Sequence, residues 1–389
     1  MIKLRKIQQY ALYLYFFSLN FEVFNLFGFG SASRFTGILY IATIISDFKH
    51  FLRIDSIKPH IRSIFFFWFF LTSVSLLYLN AYSYDFFDFT ILLNILLFWV
   101  LVNHERLDHG VLLKGMFSFS LGAVLLAFLY NSGIGIEYNG GRVSVFGDNE
   151  NAIAVRLSVA CLILIYLVLS DDLLIKNWRY LLLLPIPIML TFMFETGSRK
   201  AFISFVLAFF IGILFYKVKV GWHKIFILIA AIVASVYFFK FFLVTDVLYN
   251  RMQSLREEVD LGGREELWTR IVPFIQDNII WGRGKTGYHK FSIQTFGVIK
   301  SPHNVLLEVL AYTGIIGFLM FFYFIVKSTW QSYLSYKRTG FLLPFLLLIP
   351  CWGLIFGGQA LDWKLFWATF AFAVSTIFCK VKNENSLCN

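Results

Sequence analysis

The sequence predicts an all-α, polytopic membrane protein, and three observations carry that prediction. Of 389 residues, 59% are hydrophobic and only 15% are charged, well under the charge a soluble domain carries. Apolar stretches long enough to cross a bilayer recur along the whole length, with no ordinary-sized soluble domain left over. The basic residues collect mainly in short segments between those stretches. They set orientation there, so the net charge of +11 does not point to nucleic acid. The chain reads as one membrane domain, 1–389, with about twelve spans.

Taken in order, the spans are expected near 9–25, 33–48, 63–80, 86–103, 112–131, 150–169, 180–195, 199–216, 224–243, 303–326, 341–356 and 363–380. Asn20, Glu22 and Asn25 interrupt the first. The N-terminal stretch has a basic start but no small-residue cleavage site, so it reads as a retained span. With the N-terminus inside, Lys3, Arg5, Lys49, Arg106, Lys176, Lys217, Lys327 and Lys380 all fall on the inner side. Both termini are then cytoplasmic. Residues 244–302 form one long outer loop between the ninth and tenth spans. Inside it, Leu267, Trp268, Ile271, Val272 and Ile275 follow helical spacing, which predicts an amphipathic helix on the membrane surface. Cys161, Cys351, Cys379 and Cys388 suggest neither a disulfide pair nor a metal cluster.

Polar groups then gather on the outer side, at the starts of inward-running spans. Ser301 is a candidate N-cap and Pro302 suits the first helical position, which puts His303 and Asn304 in the first turn. The positive end of a helix dipole disfavours an imidazolium, so His303 is expected to stay neutral. On this stretch alone, a proton acceptor and an interfacial histidine bonded to lipid or water fit equally. Residues 195–205 repeat the design, with Thr196 or Ser198 as cap and Arg199 and Lys200 in the first turn. A cation at a helix start is unfavourable unless an anion shares the site, which favours anion binding over a snorkelling Arg199. Arg142 stands before Asp148, Asn149, Glu150 and Asn151, and fits a solvated loop as well as a site. Arg156, slightly deeper, is assigned no role. Gly282, Gly284 and Gly287, with Arg283 and Lys285 between them, follow no strand, so neither a Walker nor a Rossmann reading holds. No outer Asp-x-Asp pair, HExxH motif or Cys/His cluster is present, and His289 with His303 does not make a zinc site. The pattern suits a metal-free, cofactor-free reaction in which Arg groups neutralise a leaving diphosphate.

These stretches resemble the bacterial O-antigen ligase and O-antigen polymerase family. The resemblance covers roughly residues 135 to 380. It rests on His303, Asn304, Leu307, Leu310, Gly314 and Gly317 after a long loop. It rests also on Ser198 with Arg199, on Arg264 and Trp268 with Gly282 and Gly284, and on Arg142 with Asn151. Lys200 is a departure, since small residues are common at that place. The resemblance implies a glycosyltransferase of the GT-C type in the bacterial inner membrane, working on the periplasmic side by a metal-independent, inverting reaction. The donor would be glycan on undecaprenyl diphosphate, and the acceptor a lipid-linked repeat or lipid A–core. A chain-length regulator would be an optional further partner. By the same resemblance His303 would be the general base and Arg199 would hold the diphosphate, with Arg264 and Arg142 assisting. Asn304 and Lys200 join the expected binding set.

A polymerase is the first reading and a ligase the runner-up, and the motifs do not separate them. A transporter or flippase would instead predict internal repeats and charges near the midplane. No convincing repeat appears. Apart from Glu308, about one and a half turns into its span, the polar residues collect at one outer face.

Overall fold

The computed structural model describes residues 2–24, 31–55, 57–139, 141–170, 179–215 and 264–379. The expected ninth span, 224–243, the stretch 244–263 and the residues after 379 lie outside the described residues. The described chain is mostly helical. It begins with α1 (Ile2–Ser18), α2 (Ala32–Ile44), α3 (Phe48–Phe51), α4 (Lys58–Leu77), α5 (Phe89–Leu107) and α6 (Val111–Asn131). A hairpin of β1 (Ile136–Asn139) and β2 (Arg142–Val145) leads to α7 (Glu150–Leu169), α8 (Ile186–Glu195) and α9 (Arg199–Phe215). Then come α10 (Arg264–Gln276), α11 (Gly284–Phe296), α12 (Val305–Thr339), α13 (Leu343–Gly357) and α14 (Lys364–Ser375). Five of these, α4, α5, α6, α7 and α12, are long and apolar enough to cross a membrane.

At the centre lies α7. Asn149 caps it, its Oδ1 accepting from the N–H groups of Asn151 at 3.0 Å and Ala152 at 3.2 Å. An apolar run follows to Leu169, 89% buried over its most apolar window. Around it pack α6, α8, α9 and α13. In lipid the packing of side chains, rather than their removal from water, holds such helices together. Small residues allow that packing between α1 and α6, where a Cβ added at Gly122 would stand 2.4 Å from the Phe17 carbonyl oxygen. Farther round, Phe98, Phe324, Phe370 and Trp367 pack with ring centroids 5.3 to 5.9 Å apart. The buried Trp367 indole donates to Leu361 O at 2.7 Å.

One buried ionic network joins α7 to Glu22, after α1, and to Lys364, at the start of α14. Arg156, 2% exposed, pairs with Asp148 and, at 2.9 Å, with Glu22. Glu22 also accepts from Lys364 at 3.0 Å, and the Arg156 guanidinium lies 5.9 Å from the Trp363 ring centre. Arg156 thereby has a structural assignment that the sequence left open.

Two expected spans require correction. The stretch 180–195 is not one span: a 3-10 turn at Arg179–Leu183 is followed by the short helix α8. Pro185 and Pro187 cause the division, since neither supplies an N–H to a continuing ladder. The ten residues of α8 rise only about 15 Å, half a hydrocarbon core.

The stretch 303–326 is not one span either, because α12 is broken at Gly314, where φ is 58° and ψ −162°. Trp352 donates to Thr329 Oγ1 at 3.1 Å, and Asn304 donates to Phe356 O at 3.1 Å. On a straight helix residues 304 and 329 would be about 37 Å apart, whereas residues 352 and 356 of α13 are only about 6 Å apart. The segment 305–313 therefore folds over the end of the bundle, and 315–339 is long enough to span alone. The turn between α10 and α11 fills the break. Arg283 N–H donates to Ala311 O at 3.1 Å, and Ile315 N–H donates to Ile279 O at 2.7 Å. Both partners must be glycine: a Cβ on Gly282 would lie 2.5 Å from the Tyr312 carbonyl, and one on Gly314 would lie 2.4 Å from the Ile280 carbonyl.

The helix expected in the long loop forms as α10. Its apolar residues Leu267, Ile271 and Ile275 are buried, and the helix packs on α12 rather than turning that face to lipid.

Candidate functional site

The site is built where the starts of α9, α10 and α12 meet the end of α13. Four backbone arrangements position it. The hairpin delivers Arg142, whose Nε donates to Thr196 O at 2.8 Å and whose Nη2 donates to Asn151 Oδ1 at 3.2 Å. Its Nη1 lies 3.3 Å from Glu150 Oε2. Ser198 Oγ donates to the same Asn151 oxygen at 2.9 Å. Arg142 is thus a bolt between the start of α7 and the turn before α9, rather than a solvated loop residue.

That turn uses Gly197 at φ 63°, and α9 starts at Arg199. Lys200 reaches across to α13, where its ammonium donates to Gly357 O at 2.5 Å. A Cβ at Gly357 would stand 3.3 Å from Lys200 Cδ and 3.9 Å from Arg264 Nη1. Gly357 therefore lets Lys200 and Arg264, first residue of α10, come together at a helix C-terminus. The negative end of that helix dipole offsets part of their repulsion.

His303 enters from the loop between α11 and α12. Trp268 Nε1 donates to Pro302 O at 2.8 Å, which ties α10 to that loop. The His303 N–H donates to Ser301 Oγ at 3.2 Å. The N-cap is Asn304, not Ser301: Asn304 Oδ1 accepts from Leu306 N–H at 2.9 Å and Leu307 N–H at 3.2 Å. Its amide also donates to Phe356 O. Asn304 wins because its side chain can cap the helix and hold α13 at once. His303 consequently lies outside the helix, in the left-handed region at φ 53°, with a side chain that reaches solvent. Partial desolvation lowers its pKa below the usual imidazole value, and the positive charges of Arg264 and Lys200 lower it further. Burial and the nearby cations, rather than a place in the first turn of a helix, are thus what lower the His303 pKa.

Arg142, Lys200, Arg264, His303 and Asn304 are thus brought to one end of the bundle, and Arg199 opens the helix that carries Lys200. His289 goes elsewhere. It faces Ser83 Oγ at 3.1 Å, and burial with the charge of Lys285 lowers its pKa to about 4. Lys285 pairs with Asp85 at 2.9 Å and Asp88 at 2.8 Å. Arg283 stacks 5.0 Å from the Tyr78 ring centre. A Cβ on Gly284 would meet Ser75 Cα at 2.4 Å. The glycines of this stretch are therefore required by close packing, while Arg283 itself is exposed. Among the described residues, no three His, Cys, Asp or Glu side chains gather as metal ligands. The sequence reading missed the Phe356 and Gly357 carbonyls, for which the adjacent glycines Gly357 and Gly358 were the available signal.

A cation cluster beside a histidine of lowered pKa, on one end of an apolar helical bundle, can bind a diphosphate and accept a proton. Residues 184–322 match the O-antigen ligase family model. The matched stretch runs from just before α8 to beyond the break in α12. It contains Arg199, Lys200, Arg264, His303 and Asn304 and leaves Arg142 outside. No curated protein matches the chain.

Proposed function

We propose that the protein is a glycosyltransferase of the O-antigen ligase and polymerase type, and specifically a polymerase. The donor is glycan on undecaprenyl diphosphate. The acceptor is the terminal sugar of a new lipid-linked repeat. The observation that carries this reading is the placing of His303 at the same end of the bundle as Arg264 and Lys200, whose charges lower its pKa. A hydroxyl attacks the anomeric carbon from the side opposite the diphosphate. The new C–O bond forms as the bond to the diphosphate oxygen breaks, and the hydroxyl proton passes to His303. Lys200, Arg264 and Arg199 oppose the charge that grows on the leaving diphosphate. The reaction is metal-independent and inverting. It takes place on the periplasmic side of the inner membrane, with both termini cytoplasmic. The ligase reading draws support from the description of the matching family; the same site would then serve lipid A–core as acceptor.

Deletion of the gene in its host, with surface glycan run on a gel, tests the reading. Loss of the long ladder with one repeat still on lipid A–core means polymerase. Bare core with polymer accumulating on undecaprenyl diphosphate means ligase. An unchanged profile refutes both.

A further inference from the structure

Glu308 stands at the same end of the bundle and has no part in the reaction as drawn. Its N–H donates to Asn304 O at 2.9 Å, so it lies one helical turn after the cap that flanks His303. Tyr312 donates its hydroxyl proton to Glu308 Oε1 at 3.1 Å. Glu308 Oε2 is buried and has no hydrogen-bond partner among the described residues. An unpaired buried carboxylate oxygen is costly, and it is placed for a donor that the protein does not itself provide.

Charge divides at this turn. The positive charges of Arg264 and Lys200 act on His303, whereas the charges of Asp362, Lys285 and Asp88 act on Glu308. Lys285 is already engaged by Asp85 and Asp88, so carboxylates dominate that side. A diphosphate is drawn to the first side and repelled from the second. In an inverting displacement the acceptor approaches opposite the leaving group. The carboxylate side therefore suits the acceptor, a neutral sugar whose hydroxyls can pair with Oε2 whether Glu308 is ionised or, with burial raising its pKa to about 8, protonated.

We propose that Glu308 Oε2 binds a hydroxyl of the acceptor sugar and so orients the attacking hydroxyl at His303. The inference rests on the glycosyl transfer proposed above. The test uses full-length protein in liposomes, with lipid-linked donor and with repeat oligosaccharide released from the host polymer as acceptor. Glu308→Gln is expected to raise the acceptor KM about tenfold, a loss of ~1.4 kcal/mol. Donor KM and kcat should stay within about twofold, the split that marks binding rather than chemistry. An unchanged acceptor KM, or a fall in kcat alone, overturns the proposal. Carbodiimide labelling of the unsubstituted protein reads the site without a variant. The oligosaccharide is expected to protect Glu308, and undecaprenyl diphosphate is not. Equal labelling with and without oligosaccharide overturns the proposal. An unsubstituted protein that transfers nothing refutes the proposed function itself, separately from these readouts.

Discussion

Gly314→Ala is the substitution whose effect the structure defines most sharply. Two costs add. The backbone at φ 58°, ψ −162° is a region that residues with a Cβ rarely enter, at about 1–3 kcal/mol. The new Cβ also meets the Ile280 carbonyl at 2.4 Å, so the turn must withdraw. That withdrawal breaks the bonds from Arg283 to Ala311 and from Ile315 to Ile279, at about 1 kcal/mol each. The sum is roughly 3–5 kcal/mol, enough to undock the turn from α12. Gly297→Ala is the control. Gly297 also has positive φ, at 75°, but nothing lies within 4 Å of its added Cβ, so its cost is only about 1–2 kcal/mol. Hydrogen exchange in liposomes reads the difference at the Arg283 and Ile315 amides. Gly314→Ala should raise exchange there by about a hundredfold or more, a shift of about 3 kcal/mol, and should abolish glycan transfer. Equal exchange in the two variants would refute the interlocked break.

Four further outcomes are expected. His303→Ala should lower transfer by about 10²–10⁴-fold with normal membrane levels by immunoblot; normal chain assembly would remove the base role. Because its surroundings lower the His303 pKa, the neutral form persists to lower pH. The acid limb of kcat/KM should therefore fall below the ordinary histidine value of about 6.5, and a limb at or above that value contradicts the assignment. Asn304→Ala removes a cap and the tie to Phe356, costing about 1–2 kcal/mol, and should show as earlier thermal loss of activity. Arg199→Lys should impair transfer severely, since Lys lacks the planar fork that grips a diphosphate; retained activity would return Arg199 to a snorkelling role.

What the sequence discloses depends on how far each determinant reaches. The span expected at 150–169 is found as Glu150–Leu169, because its cap and apolar run are local. The division at Pro185 was equally local, but the apolar run concealed it. The break in α12 was not readable in the same way. Gly314 needs its partner Gly282, far away in sequence, and only contact discloses the pair. At the site, the types of residue were legible and their placement was not. Lys200 stood out as a departure and proves to bind the end of α13. Asn304 displaces Ser301 as cap because its second bond is to a distant carbonyl.

The Arg156 network has a consequence for how the molecule is made. Its members come from residues 22, 148, 156 and 364, so a growing chain acquires them in that order. Glu22 emerges first and waits without either cation. Arg156 arrives with Asp148 already present and can pair at once. Lys364 comes last, after almost every other helix, and completes the set. A chain halted before residue 364 would keep Arg156 neutralised but leave Glu22 one cation short. Closure of the network around Glu22 thus waits for α14, the helix that carries Lys364.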